Sequence, residues 1–156
     1  MLAKIGAITA VGAASLLLVV ADAATSQETA TGLMPSQGSY RLPFADGTQV
    51  KVFDDFSTHR PIGRIDLYAI DGKPPYAVVA AADGRIVAIQ DGYSEQQSGR
   101  AAKDCHNNYV WIEHPNGEWT NYSHLVHGSV TGKAKLKVGD SVKAGTYLGD
   151  EGAVGC

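Results

Sequence analysis

Tyr76-Ala77-Val78-Val79-Ala80-Ala81-Ala82-Asp83-Gly84-Arg85-Ile86-Val87-Ala88-Ile89-Gln90 holds two runs of small and β-branched apolar residues, broken by Asp83-Gly84. Such runs on either side of an Asp-Gly pair read as strands joined by a two-residue hairpin. Downstream, Tyr109 to His114 and Glu118 to Ser123 repeat the pattern around Pro115-Asn116-Gly117. Gln49 to Phe53, Arg64 to Ala69 and Ser141 to Leu148 are further short runs with turn residues between them. No segment sustains a helical period, so the expected fold class is antiparallel all-β. Val138-Gly139-Asp140-Ser141-Val142-Lys143-Ala144-Gly145 adds a tight reversal in which both valines are expected to face inward, a β-roll element. Asp91 to Asn108 is too polar for a core strand and reads as a long surface loop.

The chain has 156 residues, 44% of them hydrophobic and 19% charged, with a formal charge of −3, which fits one globular domain with a real core. It has no run of Lys or Arg, so nucleic acid is not an expected partner. Lys4, the apolar stretch Ile5 to Ala21 and the small-x-small pattern Ala21-Asp22-Ala23 predict a signal peptide over 1–23, cleaved before Ala24. The mature chain is then expected to be secreted or periplasmic, with no stable membrane insertion. The competing reading is an uncleaved anchor, since about 17 apolar residues lie at the lower edge of a membrane span. Residues 24–39 lack periodicity and read as a flexible leader, with the domain at 40–156. In an oxidising compartment Cys105 and Cys156 can pair, closing a loop of about fifty residues worth a nominal ~4 kcal/mol. A Cys/His metal site at Cys105-His106 competes, but lacks the second close pair that structural zinc sites show.

Two histidine segments flank the β-rich middle: His59 with Asp66 downstream, and Tyr122-Ser123-His124-Leu125. A His and an Asp near one strand, with a second His on a later strand, are parts from which a catalytic zinc site is assembled. Each also has a plainer reading. His59 beside Arg60-Pro61 could be a solvated loop histidine, Asp66 a solvent-facing strand residue, and His124 a half-buried histidine with its hydrogen bonds met. His114 reads as a turn-flanking residue, while His106 and His127 are uncommitted.

Taken in order, His59 with Asp66, Ala80 to Val87, Tyr109 to Gly117, Tyr122 to Leu125 and Val138 to Gly149 resemble the lysostaphin-type, LytM-like zinc metallopeptidases, which cut peptide cross-links in bacterial cell walls. The resemblance runs from about Phe56 to Cys156. It implies a β-sheet and β-roll domain of the duplicated hybrid type, a Zn2+ cofactor with His59 and Asp66 as ligands, and His124 as a catalytic histidine. The implied partner is a peptidoglycan peptide or a secreted protein substrate, held as an extended chain in a groove for which Tyr93, Asn107, Asn108 and Tyr109 are candidates.

The sequence departs from the family twice. The usual His lies four residues before the Asp, where this chain has Ile62. The family's later His-x-His, which supplies the third zinc ligand and a further catalytic His, is not found among the five histidines. The domain is therefore expected to be C-terminally incomplete, with weak zinc binding and little activity, and to derive from a longer working hydrolase. A catalytically inactive LytM-like domain that binds cell wall or regulates a hydrolase is the alternative. A biotinyl- or lipoyl-like carrier, suggested by Val138 to Gly145 alone, ranks below both because no Met-Lys-Met type tip is present.

Overall fold

Along Tyr109–Glu113 the side chains alternate, with Val110 and Ile112 fully buried and Trp111 and Glu113 exposed, as a strand with one face on a core must. The computed structural model describes residues 35–60, 64–96 and 105–155, and the chain divides into two units. One comprises 1–35 and 54–65; the other comprises 36–53 and 66–156.

The larger unit has eight strands among its described residues. They are β1 (Val50–Val52), β2 (Leu67–Ala69), β3 (Ala77–Val79), β4 (Gly84–Gln90), β5 (Tyr109–Glu113), β6 (Trp119–Ser123), β7 (Ser141–Val142) and β8 (Tyr147–Asp150). They form a four-stranded sheet in the order β6-β5-β4-β7 and two two-stranded sheets, β3-β8 and β1-β2, with every pairing antiparallel. The expected all-β class is what the chain adopts. Ile86, Ile112, Leu125 and Leu148 are at most 1% exposed and fill the core between the four-stranded sheet and β3-β8. Burying each such side chain stabilises by roughly 1.5–3 kcal/mol.

The second expected hairpin forms as read. β5 and β6 pair from Tyr109↔Ser123 to Glu113↔Trp119, and Gly117 closes the turn at φ 82°. The first does not form: β3 pairs with β8, while β4 pairs with β5 and β7. Asp83-Gly84 is a corner between sheets, and neither residue takes the positive φ of a type I′ turn. Gly84 serves through its missing side chain, since a Cβ there would lie 2.5 Å from the Glu113 carbonyl oxygen. Asp83 is drawn out of the hairpin geometry by distant partners. Its carboxylate accepts from the Ala144 N–H and from Lys143 Nζ, each at 2.8 Å, and its carbonyl oxygen accepts from His114 Nδ1 at 2.8 Å.

Other expectations are corrected in the same way. Ser141 to Leu148 is two strands, not one, split by a turn in which the Thr146 N–H donates to the Lys143 carbonyl at 2.9 Å. Val142 is buried, but Val138 is 57% exposed and does not face inward. Ser129–Lys133, which carries no helical pattern, forms one π-helical turn. Asp91 holds that turn by accepting from the Thr131 N–H at 2.8 Å and from its hydroxyl at 2.9 Å, and Asp91 is itself buried. The polar stretch Asp91 to Asn108 is therefore anchored in the core at both ends, because Asn108 is buried too. His114 does more than flank a turn: it is 4% exposed, bonded to the Asp83 carbonyl and to the Thr120 hydroxyl, and meets Tyr40 edge-on at 5.1 Å.

Residues 36–38, within the stretch expected to be a leader, are held by Glu118. Its carboxylate accepts from the Ser36 hydroxyl and from the Gln37 and Gly38 N–H groups, as well as from the Tyr40 hydroxyl. These donors, Tyr40 foremost, hold the Glu118 carboxyl down at about 2. The expected signal peptide, residues 24–34 of the expected leader, Ile62 and Cys156 lie outside the described residues.

Candidate functional site

The chain leaves β6 at Ser123 with Tyr122 in the core. Simple alternation would turn His124 inward and Leu125 outward. His124 instead takes a left-handed backbone at φ 62°, which resets the phase: Leu125 enters the core at 1% exposure and His124 stays half-buried. Histidine is among the non-glycine residues that tolerate this region, and such local strain concentrates at functional sites.

Three segments hold the turn. The His124 N–H donates to Asn107 Oδ1 at 2.8 Å. Asn108, fully buried, donates from Nδ2 to the Leu125 carbonyl at 3.1 Å and to the Tyr93 carbonyl at 2.7 Å, and accepts the Tyr93 N–H at 3.0 Å. The third segment follows β8, where Leu125 and Glu151 form an antiparallel bridge and His124 Nδ1 lies 3.0 Å from the Val154 carbonyl. A carbonyl oxygen can only accept, so Nδ1 carries a proton, and in the neutral ring it is Nε2 that presents its lone pair. Gly155 permits this approach, since a Cβ on it would sit 3.0 Å from Nδ1.

The groove candidates separate on burial. Tyr93 is 37% exposed and stacks on His106 at 4.7 Å between ring centroids. Asn107 and Tyr109 are half-buried. Asn108 offers no surface to a groove; it works from inside, tying Tyr93 to the turn that carries His124.

His59 and Asp66 fall in different units. In the smaller unit His59 is half-buried and closes a turn begun by Asp55, whose carbonyl accepts the His59 N–H at 3.0 Å. The Ser57 hydroxyl first, then the Ser57 and Thr58 N–H groups, hold the Asp55 carboxyl down at about 2. In the larger unit Asp66 is half-buried just ahead of β2, and its carbonyl accepts the Phe53 N–H at 2.9 Å. Among the described residues no three His, Cys, Asp or Glu side chains gather so as to hold a metal ion.

Glu151 escaped the sequence reading, since nothing marks it out between Asp150 and Gly152. Its Oε1 accepts the Ala69 N–H at 3.1 Å, fastening β2 to the segment opposite Leu125. Burial pushes its carboxyl above the ordinary value, against the pull of the Ala69 N–H. The folded state thus binds this proton more readily than the unfolded state, and stability falls as pH rises from the ordinary carboxylate range through the raised value. Glu151→Gln keeps the acceptor and removes the charge. Its thermal midpoint is expected to match the parent near pH ~3 and to exceed it increasingly towards pH ~7. An equal difference at both pH values would dismiss the buried charge as the cause.

A protein-family model described as peptidase family M23 matches residues 61–156, a span that includes Asp66 and His124 and leaves out His59. No curated protein and no solved structure gives a match.

Proposed function

The chain belongs to peptidase family M23, and from that premise we propose that it works outside the cytoplasm as a zinc metalloendopeptidase on the peptide cross-links of bacterial peptidoglycan, with His124 handling the proton. The family is one of metal-dependent, peptidoglycan-hydrolysing peptidases. The observation that carries the reading is the contact of His124 Nδ1 with the Val154 carbonyl at 3.0 Å. With Nδ1–H held on the Val154 carbonyl, Nε2 can take a proton from water as the water oxygen bonds to the scissile carbonyl carbon. The same proton then passes to the leaving amine as the C–N bond breaks. Asn107 on the main-chain N–H and the Val154 carbonyl on ring Nδ1 together keep Nε2 aimed without help from the substrate.

Export is part of the proposal. Among the described residues no helix is long and apolar enough to cross a membrane. The Cys105–Cys156 disulfide suits an oxidising compartment and is supported by the chain neighbours of the two cysteines. The position a Cβ would take on Gly155 lies 3.2 Å from the His106 carbonyl oxygen.

Ile62, at the position where the family usually carries its His, favours the second reading, a cell-wall-binding or hydrolase-regulating domain without activity. Two measurements on the purified chain separate the readings: zinc content, with His59→Ala beside it, and release of free amino groups from peptidoglycan. Stoichiometric zinc that is lost in the variant, together with amino-group release, supports the peptidase. Co-sedimentation with cell walls without zinc or amino-group release would overturn it in favour of the second reading.

A further inference from the structure

The core takes Val110, Ile112 and Tyr122, so the opposite face of the four-stranded sheet receives the alternate residues of β5 and β6. Among these, Trp111 is 37% exposed and Trp119 54% exposed, and the two indoles meet edge-to-face at 6.2 Å. Single exposed apolar residues are ordinary, whereas two adjoining indoles on a flat sheet face form a patch of the kind that marks recognition.

The register shows what surrounds them. Ala88 on β4 and Asn121 on β6 lie opposite Trp111 on its two sides. Gln90 and Ser123 lie opposite Tyr109 one step along, and the Ser123 hydroxyl donates to Asn121 Oδ1. Arg85 lies opposite Glu113, so the charges on this face offset one another.

We propose that this face is a binding platform for the glycan strand of the cell wall, a neutral chain of β-1,4-linked N-acetylated hexoses, with Trp111 and Trp119 as stacking surfaces. The proposal rests on the cell-wall reading above and adds a second site to it. A pyranose ring offers partly positive axial C–H groups on its face, which suit the negative face of an indole, and hydroxyl and acetamido groups at its edge. The Asn121 and Gln90 amides, each able to donate and accept, sit where those edge groups would fall. The absence of net charge on the face suits a neutral polymer over a polyanion. Continuity with the His124 site supplies the direction. β6 runs from Trp119 through Asn121 and Ser123 directly into His124, a span of ~17 Å at the rise of a strand. A glycan strand lying along β6 would carry its peptide stems towards the turn that holds His124.

Trp111 and Trp119 are the chain's two tryptophans, so tryptophan emission, excited to the red of the seven tyrosines, reports on this face alone. Chitohexaose, and glycan strands freed of their peptides and capped as methylamides on the lactyl carboxyls so that they stay uncharged, are expected to shift that emission saturably. By calorimetry, Trp111→Ala and Trp119→Ala are each expected to weaken binding about tenfold, ~1.4 kcal/mol, with unchanged far-ultraviolet circular dichroism. Emission that ignores both glycans, or calorimetric binding that survives in the double variant, overturns the platform. Binding of chitohexaose without binding of the freed strands overturns its assignment to the cell wall. A concentration-dependent emission shift without glycan, matched by dimerisation in ultracentrifugation, gives the face to a second copy instead. Release of amino groups from isolated cross-link peptides is followed separately. Cleavage without glycan binding keeps the peptidase and sinks the platform; glycan binding without cleavage does the reverse.

Discussion

Asn108→Ala is expected to destabilise the chain by about 3 kcal/mol, among the largest losses a polar-to-alanine change can give. Asn108 is 0% exposed, and its carboxamide satisfies the Tyr93 N–H, the Tyr93 carbonyl and the Leu125 carbonyl. Truncation strips partners from three main-chain groups at a part-buried site, each costing on the order of 1 kcal/mol when water replaces the bond imperfectly. For a domain of this size the thermal midpoint should fall by roughly 10 °C. Asn108→Asp is expected to be no better, because it keeps the acceptor but loses both N–H donors and buries a charge. The comparison is made by thermal and urea denaturation of the two variants beside the parent. A midpoint within about 2 °C of the parent in Asn108→Ala would show that the turn holding His124 stands without this splint.

His124→Gly is expected to lower amino-group release from peptidoglycan by about a hundredfold or more while leaving stability within ~1 kcal/mol of the parent. The two effects separate because the imidazole and the backbone do different work at this position. The ring, fixed through Nδ1 on the Val154 carbonyl, is the proposed proton carrier and has no substitute in glycine. The backbone sits at φ 62°, where glycine is at ease, so relief of strain offsets the lost ring contacts. The Asn107 contact to the residue 124 N–H survives the change. His124→Asn tolerates the same backbone but cannot carry the proton, and is expected to be equally inactive. Retention of amino-group release in either variant, with midpoints unchanged, would remove His124 from the chemistry.

Both results bear on how the site could be read from the chain. Tyr122-Ser123-His124-Leu125 pointed to His124 through the resemblance, and the structure adds why that residue can be held there: a phase change between two inward-facing neighbours. Asn107 and Asn108 are equal groove candidates in the sequence, since adjacent asparagines look the same to any local rule. One clamps the His124 backbone while the other is buried beneath Leu125 and Tyr93. Glu151 carried no local mark at all; its role depends on Ala69, eighty-two positions away.

The division follows from the range of the forces. Side-chain alternation with period two, the Pro115-Asn116-Gly117 turn and the apolar runs act between near neighbours, and by themselves they determined the all-β class, the β5-β6 hairpin and the inward face of β5. The partner of each remaining strand was decided only in three dimensions. Asp83-Gly84 has the local chemistry of a hairpin, yet β3 pairs with β8, because the Asp83 carboxylate binds Lys143 and Ala144 and the backbone at Gly84 crosses Glu113 too closely for a side chain. Hydrogen bonds and close contacts between residues dozens of positions apart leave no periodic trace in the chain, so the corner between the sheets and the clamps on His124 belong to the tertiary structure.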